Sequence, residues 1–171
     1  MTLSNKITNW DGKDTTYIDR VYAAHYEEHG FHASLLSLFP SPEHQDGATW
    51  LFKHAIDEGD LIADAIDPSL IESMCRSLHT LGSWAAQLHV LQILSVVPIP
   101  VSCAEQIESF ACECMTSKKT FVRAWSCSAL FAATEHDPQR HTNTIRMLKE
   151  TLNDDGTPAS VKARIRNTLK S

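Results

Sequence analysis

VRAWSCSAL (residues 122–130) lies over VKARIRNTL (161–169) at an offset of 39 residues, with Val122 on Val161, Arg123 on Lys162, Ala124 on Ala163 and Leu130 on Leu169. A weaker match sets SWAAQLHVLQIL (83–94) over TFVRAWSCSALF (120–131) at an offset of 37, with Trp84 on Phe121. A repeating interval near 40 residues marks supersecondary units that bury their apolar faces against one another.

Outside these stretches the pattern is helical throughout, with no strand alternation of useful length and no hairpin turn pair. Helix starts are signalled by an N-cap residue followed by proline at Asp67-Pro68, Asp137-Pro138 and Thr157-Pro158. Breaks fall at FPSPEHQDG (39–47), VPIP (97–100) and NDDG (153–156), where Pro and Gly do not continue a helix. The reading is a string of helices near 14–28, 31–38, 47–58, 60–66, 68–80, 83–97, 102–116, 120–135, 138–153 and 158–170. Short connections make consecutive helices pack antiparallel.

A chain of 171 residues with 43% hydrophobic and 21% charged residues reads as one globular domain, neither disordered nor fibrous. No apolar run approaches the ~20 residues that span a bilayer. The opening MTLSNKITNW has no apolar core of a secretory signal. Five cysteines in a chain of this size read as reduced thiols, so a cytoplasmic location is expected and no membrane association. Residues 1–115 carry 5 Lys/Arg against 16 Asp/Glu, and residues 116–171 carry 10 against 5. An acidic front and a basic back imply a polarised surface.

The period near 40, with two helices per unit, resembles the HEAT repeat. In that family the second helix of a unit commonly opens with a Val-Arg pair. Val122-Arg123 matches it, Val161-Lys162 matches with Lys for Arg, and Ala85-Ala86 departs from it. An aspartate in the preceding turn is supplied by Asp154 and Asp155 for the last unit, whereas TSKKT before Arg123 lacks one. Units fall at 67–97, 101–135 and 138–170, with a divergent N-terminal cap over residues 1–60. The resemblance implies an all-α fold, an α-α superhelix of antiparallel helix pairs, and a binding scaffold rather than a named activity.

Within the helix at 120–135, Phe121, Val122, Trp125, Ala129 and Ala132 share one face, and Cys127, Leu130 and Phe131 cover much of the other. Arg123 falls on that second seam, where a guanidinium needs a carboxylate or carbonyls. Asp137, Asp154 and Asp155 are its candidate partners if it bridges units. If it faces a ligand, it joins a candidate binding set of Trp84, Arg123, Trp125, Lys162, Arg166 and Lys170. The last three follow i, i+4, i+8, with Arg164 between them, and read either as a solvated face or as an anion contact.

Other chemistry is sparse. HYEEHGFH (25–32) places His25, His29 and His32 at i, i+4, i+7 and matches the H-x-x-E-H pattern of inverted zinc peptidases, with Glu28 as the base. Gly30 opposes the helix this would need, and no metal site is expected. Cys112 and Cys114 in CEC point about 160° apart on a helix, so these two and Cys127 read as packing residues. There is no Gly-rich phosphate loop, no G-x-S-x-G and no paired carboxylates, hence no expected cofactor and no catalytic residue. The leading expectation is a non-enzymatic scaffold that binds a protein partner, a basic one being favoured by the acidic front, with a homodimer as a further association to consider. The alternative is a nucleic-acid-binding protein resembling the HEAT-like DNA alkylation-repair glycosylases.

Overall fold

The structure, a computed structural model, describes residues 2–170. Helix is the regular structure among them: α1 (Leu3–Thr8), α2 (Thr15–His25), α3 (Phe31–Leu38), α4 (Gln45–Asp57), α5 (Pro68–Ser77), α6 (Trp84–Leu94), α7 (Ala104–Cys114), α8 (Thr120–Thr134), α9 (Pro138–Asn153) and α10 (Ala159–Thr168). Single 3-10 turns lie at Ala63–Ala65, Leu78–Thr80 and Val101–Cys103. The fold class is all-α. Among the described residues no helix is long and apolar enough to cross a membrane. The chain divides into two compact units, Met1–Val90 and Leu91–Ser171, with α6 running across the boundary.

Two of the three expected caps form as the chemistry requires. The Asp67 carboxylate accepts from the Ser69 N–H, and Asp137 accepts from the N–H groups of Gln139 and Arg140, each with proline in the first turn. Thr157 does not cap. Its hydroxyl donates to Asp154, which also takes the Gly156 N–H, and Pro158 occupies the cap position of α10. The helix expected at 60–66 shrinks to the turn at Ala63–Ala65. Gly59 sits at φ +79°, and the Leu61 N–H bonds back to the Ala55 carbonyl, a glycine-dependent closure that ends α4. The helix expected to reach residue 28 stops at His25, before Gly30 at φ +78°.

In the first unit α1 packs on α4 in a fixed register. Ser4 Oγ lies 2.8 Å from His44 Nε2, Ile7 meets Gly47, and the Trp10 and Trp50 rings are 6.0 Å apart. Each pair is separated by 40 residues and the partners advance together, so the two helices run parallel. Thr49 repeats the interval with His89 (3.0 Å), and Gln45 Oε1 accepts from the Ser83 N–H. Around this spine Ile18, Leu35, Phe39, Leu51 and Phe52 are fully buried. A Cβ at Gly47 would stand 2.8 Å from Ile7 Cγ2, a stiff β-branched methyl in a buried site. Gly47→Ala is therefore expected to push α1 off α4 and to cost about 1–3 kcal/mol in denaturant unfolding. Unchanged stability would show that α1 is not seated there.

In the second unit α8 packs against α7, α9 and α10. Ala124 and Cys127 of α8, Leu148 of α9, and Val161 and Ile165 of α10 form one buried cluster, flanked by Met115, Phe131, Met147, Leu152 and Leu169. The hydroxyls of Ser128 and Thr168 meet at 2.7 Å, and the Arg164 guanidinium sits 3.5 Å from the centre of the Trp125 ring. These contacts span 40 and 39 residues and again advance together, so α8 and α10 are parallel. Arg140 of α9 reaches Glu105 and Glu108 of α7 at 3.6 and 3.3 Å, exposed pairs worth little in water.

Candidate functional site

The side of α8 left open carries Phe121, Trp125 and Ala132, spaced at one-turn and two-turn intervals along one face. Phe121 is 64% exposed, and Trp125 and Ala132 are half-buried. An aromatic ring that exposed, at the first turn of an otherwise buried helix, has no packing role that accounts for it. Arg164 covers the Trp125 face from the neighbouring helix, and partial burial lowers its pKa from the ordinary arginine value. A guanidinium stays charged under such a shift, so the site presents a cation laid on an indole beside an open phenyl ring.

Of the six residues singled out in the sequence, the five in the second unit do not share one face. Arg123 is two positions from Trp125, hence about 160° round the helix. It is half-buried, and among the described residues no carboxylate lies within ion-pair reach of it. The expected pairing with Asp137, Asp154 or Asp155 is not formed; Asp137 and Asp154 accept from N–H groups of their own turns. The Arg123 carbonyl accepts from Ser126 Oγ and Cys127 Sγ. Lys162 and Arg166 follow one flank of α10, the first half-buried and the second exposed, and Lys170 lies exposed past the helix end. Arg164 projects from the opposite flank, two positions from each of its basic neighbours. Trp84, in the first unit, opens α6 and is 48% exposed.

Phe121 and Arg164 are the site residues that the sequence reading did not select. A signal for Phe121 existed, since the repeat alignment equates it with Trp84. None existed for Arg164, whose partner ring lies 39 residues away in sequence.

The tempting metal signal dissolves on geometry. α2 ends at His25, so His29 is not on its face. His25 Nδ1 lies 2.8 Å from Glu28 Oε1 and its Nε2 lies 3.0 Å from Lys6 Nζ. An ammonium only donates, so Nε2 accepts and Nδ1 carries the proton, leaving no nitrogen for a metal. Among the described residues no group of three His, Cys, Asp or Glu side chains is placed to hold one. Cys114 and Cys127 are buried, and burial pushes their thiols up to about 12 and about 11, so they pack rather than react. Cys112, by contrast, is exposed.

Compared with protein-family models, with curated proteins and with solved structures, the chain has no significant match in any of the three.

Proposed function

We propose that this chain is a helical-repeat scaffold of the HEAT-like kind, which binds another protein on the open face of its second helices. The observation that carries the reading is Phe121, a large aromatic 64% exposed on the open side of α8, beside the Trp125 ring that Arg164 covers. Aromatic side chains on an open face, with arginine beside them, are the usual anchors of protein interfaces.

The contact interval supports the same reading. Ser4 with His44, Trp10 with Trp50, Thr49 with His89, Trp125 with Arg164 and Ser128 with Thr168 all meet across 39 or 40 residues. Stacked units of that length make such contacts between corresponding helices. On this view α1 and α4 take the place of second helices, and the repeat extends into the region whose sequence matches it least.

Nucleic acid is the less favoured partner. Lys162 and Arg166 lie on the flank of α10 away from Trp125, Lys170 lies past the helix end, and a net charge of −6 opposes nonspecific attraction of a polyanion. The acidic balance of residues 1–115 favours a protein partner that brings basic groups.

The test compares the wild-type chain with Phe121→Asp and with a Lys162/Arg166/Lys170 triple alanine variant, in nuclease-treated pull-downs followed by titration of the recovered partner. Phe121→Asp is expected to weaken binding by about 30-fold or more, a hot-spot effect, with an unchanged melting temperature and a shallow salt dependence. Loss of binding in the triple variant, with a steep salt dependence, would overturn the reading in favour of a phosphate contact.

A further inference from the structure

We infer that Ser4 is an activated nucleophile, with His44 as its base, able to accept acyl groups from small carboxylic esters. Ser4 Oγ stands 2.8 Å from His44 Nε2. The other ring nitrogen, Nδ1, is 2.8 Å from Ser41 Oγ and 3.8 Å from Glu43 Oε1. The Glu43 carboxylate, which only accepts, lies on the Nδ1 side of the ring and so favours the proton on Nδ1. Nδ1 then donates to Ser41 Oγ, which leaves the Nε2 lone pair facing the Ser4 hydroxyl. The result is a base held between two hydroxyls, Ser4 and Ser41 each 2.8 Å from a ring nitrogen, with the Glu43 carboxylate 3.8 Å from Nδ1.

The surroundings suit acyl chemistry. α4 begins at the residue after His44, and the first-turn N–H groups of Asp46 and Gly47 have no backbone acceptor among the described residues. Such N–H groups, with the helix dipole behind them, are the donors that a developing oxyanion requires. The Ile7–Gly47 contact, one turn along both helices, fixes Ser4 against His44. Ser4 is half-buried, so part of the residue faces solvent.

In the reaction Ser4 Oγ attacks the ester carbonyl and passes its proton to Nε2. The alcohol leaves with that proton, and acyl-Ser4 remains. Water then attacks the acyl carbonyl, gives its proton to Nε2, and the carboxylic acid leaves as the proton returns to Ser4. One ester and one water become one acid and one alcohol.

The test uses the full chain and a fluorophosphonate probe, which loses fluoride as the serine oxygen bonds phosphorus, with the modified residue located by peptide mass spectrometry. Modification at Ser4 is expected, abolished by Ser4→Ala and slowed about 100-fold by His44→Gln, the scale of a lost general base. Glu43→Gln, at an exposed side chain, covers the event that His44→Gln perturbs folding. It is expected to slow modification severalfold and to shift its pH profile while leaving the melting temperature unchanged. No modification of the wild-type chain, modification at another residue, or a Ser4 rate indifferent to both the His44 and Glu43 variants would overturn the inference.

Discussion

Truncating Leu148 to alanine is expected to destabilise the second unit by about 2–5 kcal/mol, toward the upper end of that range. Leu148 is fully buried and is the member from α9 of the cluster that joins Ala124 and Cys127 of α8 to Val161 and Ile165 of α10. Its removal takes away transfer free energy and also leaves a void, because three helices meet there and none can close it alone. Half-buried Met147 and Leu152 flank the cluster, and methionine is adaptable enough to fill part of the gap, which sets the lower end. Denaturant unfolding followed by tryptophan fluorescence measures the effect. A loss below about 1 kcal/mol would mean that the cluster is not the core of this unit.

Acidification from pH 7 to pH 4 is expected to cost the first unit roughly 3 kcal/mol through His89 alone. Burial, reinforced by the nearby Lys53 charge, lowers its pKa to about 4, and Asp57 opposes the shift only in part. The Thr49 hydroxyl donates to the Gln45 carbonyl at 2.7 Å and so accepts from His89 Nδ1 at 3.0 Å, which fixes the neutral tautomer. A histidine whose folded pKa lies below its unfolded value of about 6.5 binds fewer protons in the folded state. Its contribution is complete above the unfolded pKa and is lost as the pH falls from there to about 4. His32, whose pKa burial also lowers, adds in the same direction. Asp11, Glu43 and Asp67 have carboxyls held low mainly by hydrogen bonds, so their loss comes later, as the pH falls through the carboxylate range. Unfolding free energies measured from pH 7 to pH 4 are expected to fall in the wild type and to flatten in His89→Gln. Equal slopes would show that the half-buried His89 ring is not desolvated enough to lower its pKa.

The helices were legible wherever local chemistry and apolar period agreed. Asp67-Pro68 and Asp137-Pro138 announce helix starts, and α9 begins and ends where its cap and its NDDG break place it. α1 was not legible. Its six residues LSNKIT have no apolar stripe, and a helix that short does not stand alone. It persists because Ile7 enters the gap over Gly47 and Ser4 reaches His44, contacts that span 40 residues. The turn at 60–66 was misread because its composition suits a helix, while closure at Gly59 is a backbone event that a hydrophobic pattern does not report.

The candidate site was legible in part. Trp84 and Trp125 were selected as aromatics of second helices, and the alignment held the key to Phe121. Arg123 is half-buried and unpaired with Asp137, Asp154 or Asp155, and Asp137 and Asp154 accept within their own turns instead. Electrostatic partners of that kind depend on which oxygen is already committed, and spacing does not encode it. Lys162 and Arg166 share one flank of α10 and Lys170 lies past its end, and register on one helix does not say which flank faces the neighbour.

The most direct test of the stacked-repeat account is nuclear Overhauser spectroscopy on the labelled chain, searched for contacts between residues about 40 apart. Proton contacts between Trp10 and Trp50, Thr49 and His89, Trp125 and Arg164, and Ser128 and Thr168 are the expected result, each advancing in the same sense along its pair of helices. Antiparallel progressions between α8 and α10 or between α1 and α4, or the absence of contacts at this interval, would contradict the account.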